Sequence, residues 1–419
     1  MIHVFKFGGA SVKDAEGVKN LASVLQQTGH KDLVIVVSAM GKMTNALEHV
    51  VTTYFNNPQK LKETILEIKV FHTTIANKLF ENTSAPVFKT IDTLIAQLIS
   101  FLTTNKSNNH AFVYDQVVSF GELLSTTIIA AYLEVVGIQN TWLDIRDCIV
   151  TDTKYRDATV DWDITQRQIT KHVIPSGITI TQGFLGAEDN NNFTTTLGRE
   201  GSDYTAAILA YCLNAASVTI WKDVPGVLNA DPRYFEKTIL LHHISYREAI
   251  ELAFYGASVI HPKTLQPLQR KEIPLFVKSF YDPLAEGTCV GKGVTLDPQT
   301  SCFILKREQV LLSLSSLDFS FIVEKNISDI FTLLDSYKMK VALIQNSAIS
   351  FSVVIDNKYR NLELLLTALR STFRVSWDEN VTLYTIRHAD SKEVNNLVQH
   401  RKVLLKQESR ETVQLVIKE

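Results

Sequence analysis

The sequence predicts an α/β protein, a mainly parallel sheet flanked by helices and followed by ferredoxin-like units. Three observations point there. Strand-like and helix-like stretches alternate over residues 2–282. One strand, "DLVIVVSAM" (32–40), is apolar without a break, the pattern of a parallel strand buried on both faces. From residue 282 onward "DPLAEGTCVGKGVTLDPQTS" is rich in Pro, Gly, Thr and Asp, and the pattern after it changes to short units in the order β-α-β-β-α-β.

The elements follow in order. Residues 2–7 alternate as a strand, with Val4 and Lys6 on one face and Phe5 and Phe7 on the other. Residues 14–27 form a helix, then comes the 32–40 strand. From residue 47 to 103 the pattern is helical: Leu61, Ile65, Ile68, Ile75 and Leu79 recur at helix spacing, and "IDTLIAQLISFL" follows. A further helix spans 111–136 and ends near Gly137. "ITITQGFLG" (178–186) and "SVTIWKDVPG" (217–226) are strands running into glycine turns. Between them "SDYTAAILAYCLNA" (202–215) is a helix opened by an N-cap residue. This alternation places helices on both faces of a parallel sheet. In the tail the expected elements are a strand at 309–316, a helix at 326–338, strands at 341–345 and 348–355, a helix at 358–372 and a strand at 373–378. A shorter β-α-β-β follows at 380–418. The two units share an architecture, but their identity is too low to read as a repeat. The domains are placed at 1–297 and 298–419.

Bulk properties narrow the function. A chain of 419 residues exceeds one ordinary core, so two or three domains are expected. Hydrophobic residues at 45% and charged residues at 21% are ordinary for globular chains. A net charge of −2 provides no field for nucleic acid or for a membrane surface, so neither is an expected partner. An anionic substrate then has to be held by local cations and backbone dipoles. Cys148, Cys212, Cys289 and Cys302 make no CxxC pair, which indicates neither a zinc site nor a disulfide framework. They read as thiols in a reducing cytosol, and a cytoplasmic location is expected. The N-terminus has no secretory-signal pattern, and no apolar run is expected to approach the length of a membrane span.

Several stretches carry chemistry. Lys6 sits on a strand expected to be buried, and a buried ammonium needs an anion. Gly8 and Gly9 follow it and let backbone N–H groups approach a ligand, so the pair reads as a phosphate cradle or as a plain glycine turn. Ser38-Ala39-Met40-Gly41 and Thr44 form a second small-residue loop at a strand's carboxyl end, where open α/β sheets bind ligands. Thr44 reads equally as a helix cap. "TTTLGREGSDYTAA" (194–207) brings Arg199, Ser202 and Asp203 to a helix start; Arg199 suits a carboxylate, and Asp203 is either functional or a cap. "WKDVPGVLNADPR" (221–233) sets Asp223 and Arg233 around a Pro-Gly turn. Glu122 lies on an apolar helix, either as an anchor for a substrate amine or as a partly solvated acid. His261 reads as packing. No nucleophile–base motif supports hydrolase chemistry.

"KFGGASV", "VVSAMGKMTNAL", "VSFGELLS", "TLGREGSDYTAA", "WKDVPGVLNADPR" and "GASVIHPKTLQPL" occur in this order. Together they closely resemble the aspartate kinases of the amino-acid kinase family, and the tail resembles their paired ACT regulatory domains. The resemblance implies ATP-dependent, Mg²⁺-assisted phosphorylation of the β-carboxylate of L-aspartate to 4-phospho-L-aspartate, the step that leads to lysine, threonine and methionine. It implies that Lys6 neutralises the transferring phosphoryl group and that Gly8, Gly9 and Ser11 belong to the phosphate loop. Ser38 and Thr44 would lie near the aspartate and the phosphates. Glu122 would receive the substrate's α-ammonium and Arg199 its α-carboxylate, with Ser202 and Asp203 ordering the reacting centre. Lys222, Asp223, Leu228, Arg233 and Ser258 match nucleotide-site positions. No protein ligand for a metal is assigned. A homodimer or dimer of dimers through the ACT region is implied.

The sequence departs from the family pattern at four places. Ser258 stands where lysine is usual, Leu228 where tyrosine is common, Lys222 where threonine is frequent, and Glu200 where glycine or another small residue is common. In the tail, lysine-responsive relatives usually have a glycine before the first helix, an acid after the second strand begins, and Ser-Glu in the next turn. Here Lys325, Ala342 and Ser347-Ala348 occupy those places. The alternatives are a related kinase acting on glutamate or acetylglutamate, and a kinase-fold amino-acid sensor without turnover.

Overall fold

The computed structural model describes every residue except 30, 83, 174–175, 258–259, 294, 319 and 419. In chain order the first elements are β1 (His3–Phe7), α1 (Ala15–Thr28), β2 (Asp32–Val37), α2 (Met43–Asn56), α3 (Leu61–Leu79), α4 (Pro86–Thr104), α5 (His110–Val135), β3 (Thr141–Leu143), β4 (Val150–Thr151), α6 (Trp162–His172), β5 (Gly177–Gln182), β6 (Leu185–Glu188), β7 (Thr194–Thr196), α7 (Gly201–Leu213) and β8 (Ser217–Lys222). Next come β9 (His243–Ser245), α8 (Tyr246–Tyr255), α9 (Pro262–Lys271), β10 (Leu275–Ser279) and β11 (Thr288–Gly291). The last are β12 (Cys302–Ser316), α10 (Glu324–Ser336), β13 (Lys340–Asn346), β14 (Ser350–Asp356), α11 (Leu362–Leu369), β15 (Phe373–Arg387), α12 (Ser391–Val398), β16 (Lys402–Glu408) and β17 (Thr412–Lys418). Two compact units result: Met1–Val227, Leu240–Ile250 and Val259–Asp297 form the first, and Leu228–Ile239, Glu251–Ser258 and Pro298–Glu419 the second.

The first unit is built on a sheet of order β3-β5-β2-β1-β8-β10-β11-β9. The strands from β3 to β10 are parallel, and β11 turns antiparallel to β10. Central β1 lies in register with both neighbours, so Lys6 is flanked by Val36 and Ile220. Phe5 and Phe7 pack on the face opposite Lys6, against Trp221, with Phe5–Trp221 centroids 5.3 Å apart. Asp14 caps α1 by accepting from the Gly17 N–H at 2.9 Å, and Gly29 ends it in the left-handed region.

The long helical stretch after β2 resolves into α2, α3 and α4, separated where Pro58 and Pro86 each sit in a first helical turn. The strand expected over 178–186 is interrupted at Gly183-Phe184, because Phe184 takes a positive φ of 70° and turns the chain between β5 and β6. The expectation that no apolar run reaches membrane-span length is corrected: α4 and α5 are both long and apolar enough. In this fold α5 is a core helix, buried on nearly every side from Val113 to Ile129, and its polar residues Asp115, Ser119, Glu122 and Thr126 are buried as well. On α4 the buried residues Val87, Ile91, Ile95, Leu98 and Leu102 make one stripe toward the core.

The second unit is an antiparallel sheet of order β13-β14-β12-β15-β17-β16. The expected strands at 309–316 and 373–378 are each half of a longer one, since β12 and β15 run 15 residues. Both are kinked by register shifts between Lys306 and Leu311, with Glu308 and Asn380 at positive φ. The halves serve different copies of one motif. The far half of β12 leads into α10, β13 and β14; the far half of β15 leads into α12, β16 and β17. β13 "KVALIQN" matches β16 "KVLLKQE", and both shift register after the second residue, at Val341 and at Val403. A repeat is therefore present in the structure although the sequences diverge. Helices α10 and α11 cover the first copy through Ile330, Leu334, Leu365 and Leu369, and α12 covers the second through Val394 and Leu397.

Candidate active site

A cavity of about 480 Å³ opens in the first unit, and its wall includes Lys6, Ser38, Thr44, Glu122, Arg199, Ser202, Asp203 and Lys222. These residues come from the carboxyl ends of β1 and β8, the loop after β2, the first turn of α2, the middle of α5 and the start of α7. Parallel strands in register bring these ends to one edge of the sheet.

Glycines make the convergence possible. A Cβ on Gly9 would stand 2.5 Å from the Ala39 carbonyl oxygen and 2.9 Å from that of Gly41, so the loops after β1 and β2 meet backbone to backbone. Gly41 N–H donates to the Gly9 carbonyl at 2.9 Å. Gly121 lets α5 approach the same loop, because a Cβ there would lie 2.9 Å from the Ala39 Cβ. Ser125 Oγ donates to the Ser38 carbonyl at 2.8 Å and fixes the contact.

Lys6 finds its anion. Its Nζ is 2.5 Å from Asp203 Oδ1, with the two side chains 10% and 4% exposed. A pair this buried is stable only with both partners in place. Asp203 is therefore not a helix cap. Nor does Ser202 cap α7: the capping position is Glu200, at φ 54°, and it makes no side-chain cap bond. Ser202 lies inside the first turn, packed so closely on Gly183 that a Cβ there would be 2.4 Å from its own. The first-turn N–H groups of α7 thus have no side-chain cap, and a helix start of this kind attracts anions. Thr44 also lies inside its helix, since α2 is capped at Lys42.

Glu122 is the most perturbed acid of the wall. One oxygen accepts from the Ala39 N–H at 3.3 Å, and Oε2 is buried with no hydrogen-bond partner. Burial pushes its carboxyl up to about 8, against the smaller opposing effect of the Ala39 bond. An ammonium placed against Oε2 would restore the charge and supply the missing donor.

The other expected residues lie elsewhere. Gly8, Gly9 and Ser11 form the turn after β1, where the Gly8 carbonyl accepts from the Ser11 N–H at 3.0 Å. Asp223 is exposed just beyond Lys222. Leu228 and Arg233 belong to the second unit, and Arg233 is held by Asp231 at 2.6 Å. Ser258 lies outside the described residues. His261, expected as packing, caps α9 by accepting from the Lys263 N–H at 3.2 Å.

Tyr114, Arg156 and Phe184 also line the cavity and are not singled out by the sequence; Glu200, one of the departures from the family pattern, lines it too. Arg156 lies 3.9 Å over the Tyr114 ring and reaches Glu48 at 2.8 Å. Its backbone N–H donates to both oxygens of Asp115, at 3.1 and 3.0 Å. Asp115 also accepts from the N–H and hydroxyl of Thr196, yet burial still lifts its carboxyl to about 6. One signal was available: Asp115 and Glu122 are seven residues apart on an apolar helix, which puts both acids on one face. Among the described residues no three His, Cys, Asp or Glu side chains cluster to hold a metal.

Known proteins resemble this chain in sequence and in fold. The model of the amino acid kinase family matches residues 1–279. Lysine-sensitive aspartokinase 3 of Escherichia coli K12 is 33% identical over 396 residues, covering 92% of this chain and 86% of its own. The chloroplastic aspartokinase 1 of Arabidopsis thaliana is 32% identical over 365 residues, 84% of this chain and 63% of its own. The E. coli aspartokinase III structure with lysine and aspartate (T-state) superposes with a TM-score of 0.84 at 30% identity, covering 99% of this chain and 95% of that one. The same enzyme with aspartate and ADP (R-state) gives 0.81 at 29% identity, covering 100% and 96%. On the matched family model, the shared fold and identity over most of its length, this chain belongs to the amino acid kinase family and, within it, to the aspartokinases.

Proposed function

We propose that this protein transfers the γ-phosphoryl group of ATP to the β-carboxylate of L-aspartate, giving 4-phospho-L-aspartate on the way to lysine, threonine and methionine. The observation that carries this reading is the pairing, in one cavity, of the bare buried oxygen of Glu122 with the guanidinium of Arg199. Two opposite charges suit the two ends of an amino acid and leave its side-chain carboxylate to be aimed. That carboxylate is already ionised at neutral pH and needs no general base, which fits a cavity with no histidine in its wall. Catalysis is then positioning and charge stabilisation. Lys6, steadied by Asp203, neutralises charge on the transferring group. The N–H groups of Gly8, Gly9 and the first turn of α7 receive phosphate oxygens, Ser11 supports that turn, and Ser38, Thr44 and Ser202 order the acceptor. Lys222, Asp223, Leu228, Arg233 and Ser258 serve the nucleotide.

The donor set suits a magnesium ion that arrives on the phosphates of ATP, since such an ion needs only one or two carboxylates, which Asp203 can supply. Bound there, it would add positive charge at the transferring group. We read the assembly as a homodimer or dimer of dimers through the tail, whose outer strands β13 and β16 each leave an unpaired edge among the described residues. All four cysteines are free, in keeping with a cytoplasmic setting. The test is a coupled assay of ADP release with aspartate, glutamate and N-acetylglutamate offered separately. Turnover confined to aspartate is expected, and turnover with none of the three would overturn the reading.

A further inference from the structure

The second copy of the tail's repeat is short of one helix. In the first copy α11 lays Leu362, Leu365, Leu366 and Leu369 into the core beside β12 and β15. The matching position in the second copy lies over Cys302–Lys306 of β12, and the described residues between β11 and β12 form no helix. The segment Leu228–Ile239 belongs to the same compact unit and meets this stretch of β12, where the Phe303 N–H donates to the Asn229 carbonyl at 2.7 Å. Its Phe235 packs against Phe303 with centroids 5.3 Å apart. An eight-residue helix replaced by a few aromatic side chains leaves space. A cavity of about 400 Å³ remains, with Phe235, Phe303 and Leu305 as its apolar wall and Tyr384, Glu393 and Arg401 as its polar one.

The polar wall carries both charges. Glu393 Oε2 is buried and accepts no hydrogen bond. A carboxylate oxygen in that state lacks a donor that a ligand could bring. Arg401 donates to the Tyr384 hydroxyl at 2.8 Å, which uses one N–H of a fork that carries five. The cavity is of small-molecule size and mixed lining, as ligand sites are. It shares no residue with the wall of the active-site cavity.

We infer that this cavity binds a free α-amino acid with an apolar or aromatic side chain. The α-ammonium donates to Glu393, the α-carboxylate accepts from Arg401, and the side chain lies against Phe235, Phe303 and Leu305. A purely apolar ligand would leave the Glu393 oxygen without a donor, and a simple anion would face its charge.

The inference does not depend on the phosphotransfer reading and is tested without turnover. The full chain is titrated calorimetrically with L-phenylalanine, L-methionine and L-leucine, and with their N-acetyl and amide derivatives. Saturable binding of at least one free amino acid is expected, with both derivatives weakened. Glu393→Gln and Arg401→Met should each weaken it about tenfold or more, the scale of a lost charge-assisted hydrogen bond. Leu305→Trp, which fills the cavity, should abolish it, and Glu122→Gln should leave it unchanged. The inference is overturned by the absence of saturable heat from all three up to about 10 mM. It is equally overturned by binding that survives N-acetylation, that ignores Leu305→Trp, or that is lost in Glu122→Gln.

Discussion

At Lys6 and Asp203 two roles meet, since the pair is both buried and set at the reacting end of the cavity. Lys6→Met should lower turnover about a hundred- to a thousand-fold, the scale of a lost transition-state donor. A buried lysine without an anion beside it adds no stability, and losing it would leave the fold intact. With Asp203 left bare, a loss of about 3–5 kcal/mol is expected instead. The double variant Lys6→Met/Asp203→Asn removes both charges and should regain most of that stability without regaining turnover, as thermal melts beside assays would show. Glu122 makes a different prediction. Its carboxyl, held at about 8, must ionise to receive an ammonium. Below that pH the aspartate affinity should therefore rise about tenfold per unit as pH increases, and level off above it. Glu122→Gln should flatten this dependence and weaken aspartate far more than ATP. A wild-type affinity that is flat between pH 6 and 8 by titration calorimetry would contradict the role. Lys6, Glu122 and Arg199 were legible because each is a charge in an apolar or glycine-rich setting. Arg156 and Phe184 were not, because a positive φ and contacts distant in sequence place them.

The elements around the cavity hold one another by close backbone approach more than by side-chain bonds. A methyl on Gly9 would intrude on two carbonyl oxygens. Gly9→Ala should push apart the loops after β1 and β2 and cost at least tenfold in kcat, with a loss of melting temperature that Gly291→Ala, whose Cβ would meet nothing nearer than 4.0 Å, does not match. In the tail, α10 starts at Glu324, two residues earlier than expected, because Asn326 accepts from the Val323 N–H at 3.0 Å. Lys325 is thus within the helix rather than before it. Ala342 leaves β13 without the acid seen in lysine-responsive relatives, and Asp329 and Asp335 on α10 are exposed. An effector ammonium buried there would lack a carboxylate. Inhibition by lysine is expected to be weak or absent, although the E. coli relative is named lysine-sensitive. Titration of activity with lysine and threonine, separately and together, checks this, and strong inhibition by lysine alone would refute it. Apolar strands and amphipathic helices such as α1 and β2 could be placed from the sequence within one to three residues. The starts of α7 and α10 lie one and two residues earlier than expected, because left-handed Glu200 and the back-bonding Asn326 set them.

Across the whole chain, the parallel order of the first unit was legible because continuous apolar strands admit few other arrangements. The tail was harder to read, because its order in space is not its order in sequence. The first half of β12 completes the copy that begins eighty residues later. Local pattern shows a strand at each place but cannot show that two strands are each shared. That sharing has a cost for any attempt to take the protein apart. Neither copy can be excised: cutting out residues 309–378 removes the far half of β12 and the near half of β15, and with them the continuity of the strands the other copy uses. The two copies should therefore open as a single cooperative block. In native-state hydrogen exchange, the amides of β14 and β17, which lie in different copies, should share one opening free energy and one denaturant dependence. A repeat built on shared strands cannot be undone by losing either half, which makes the pair heritable only as a whole.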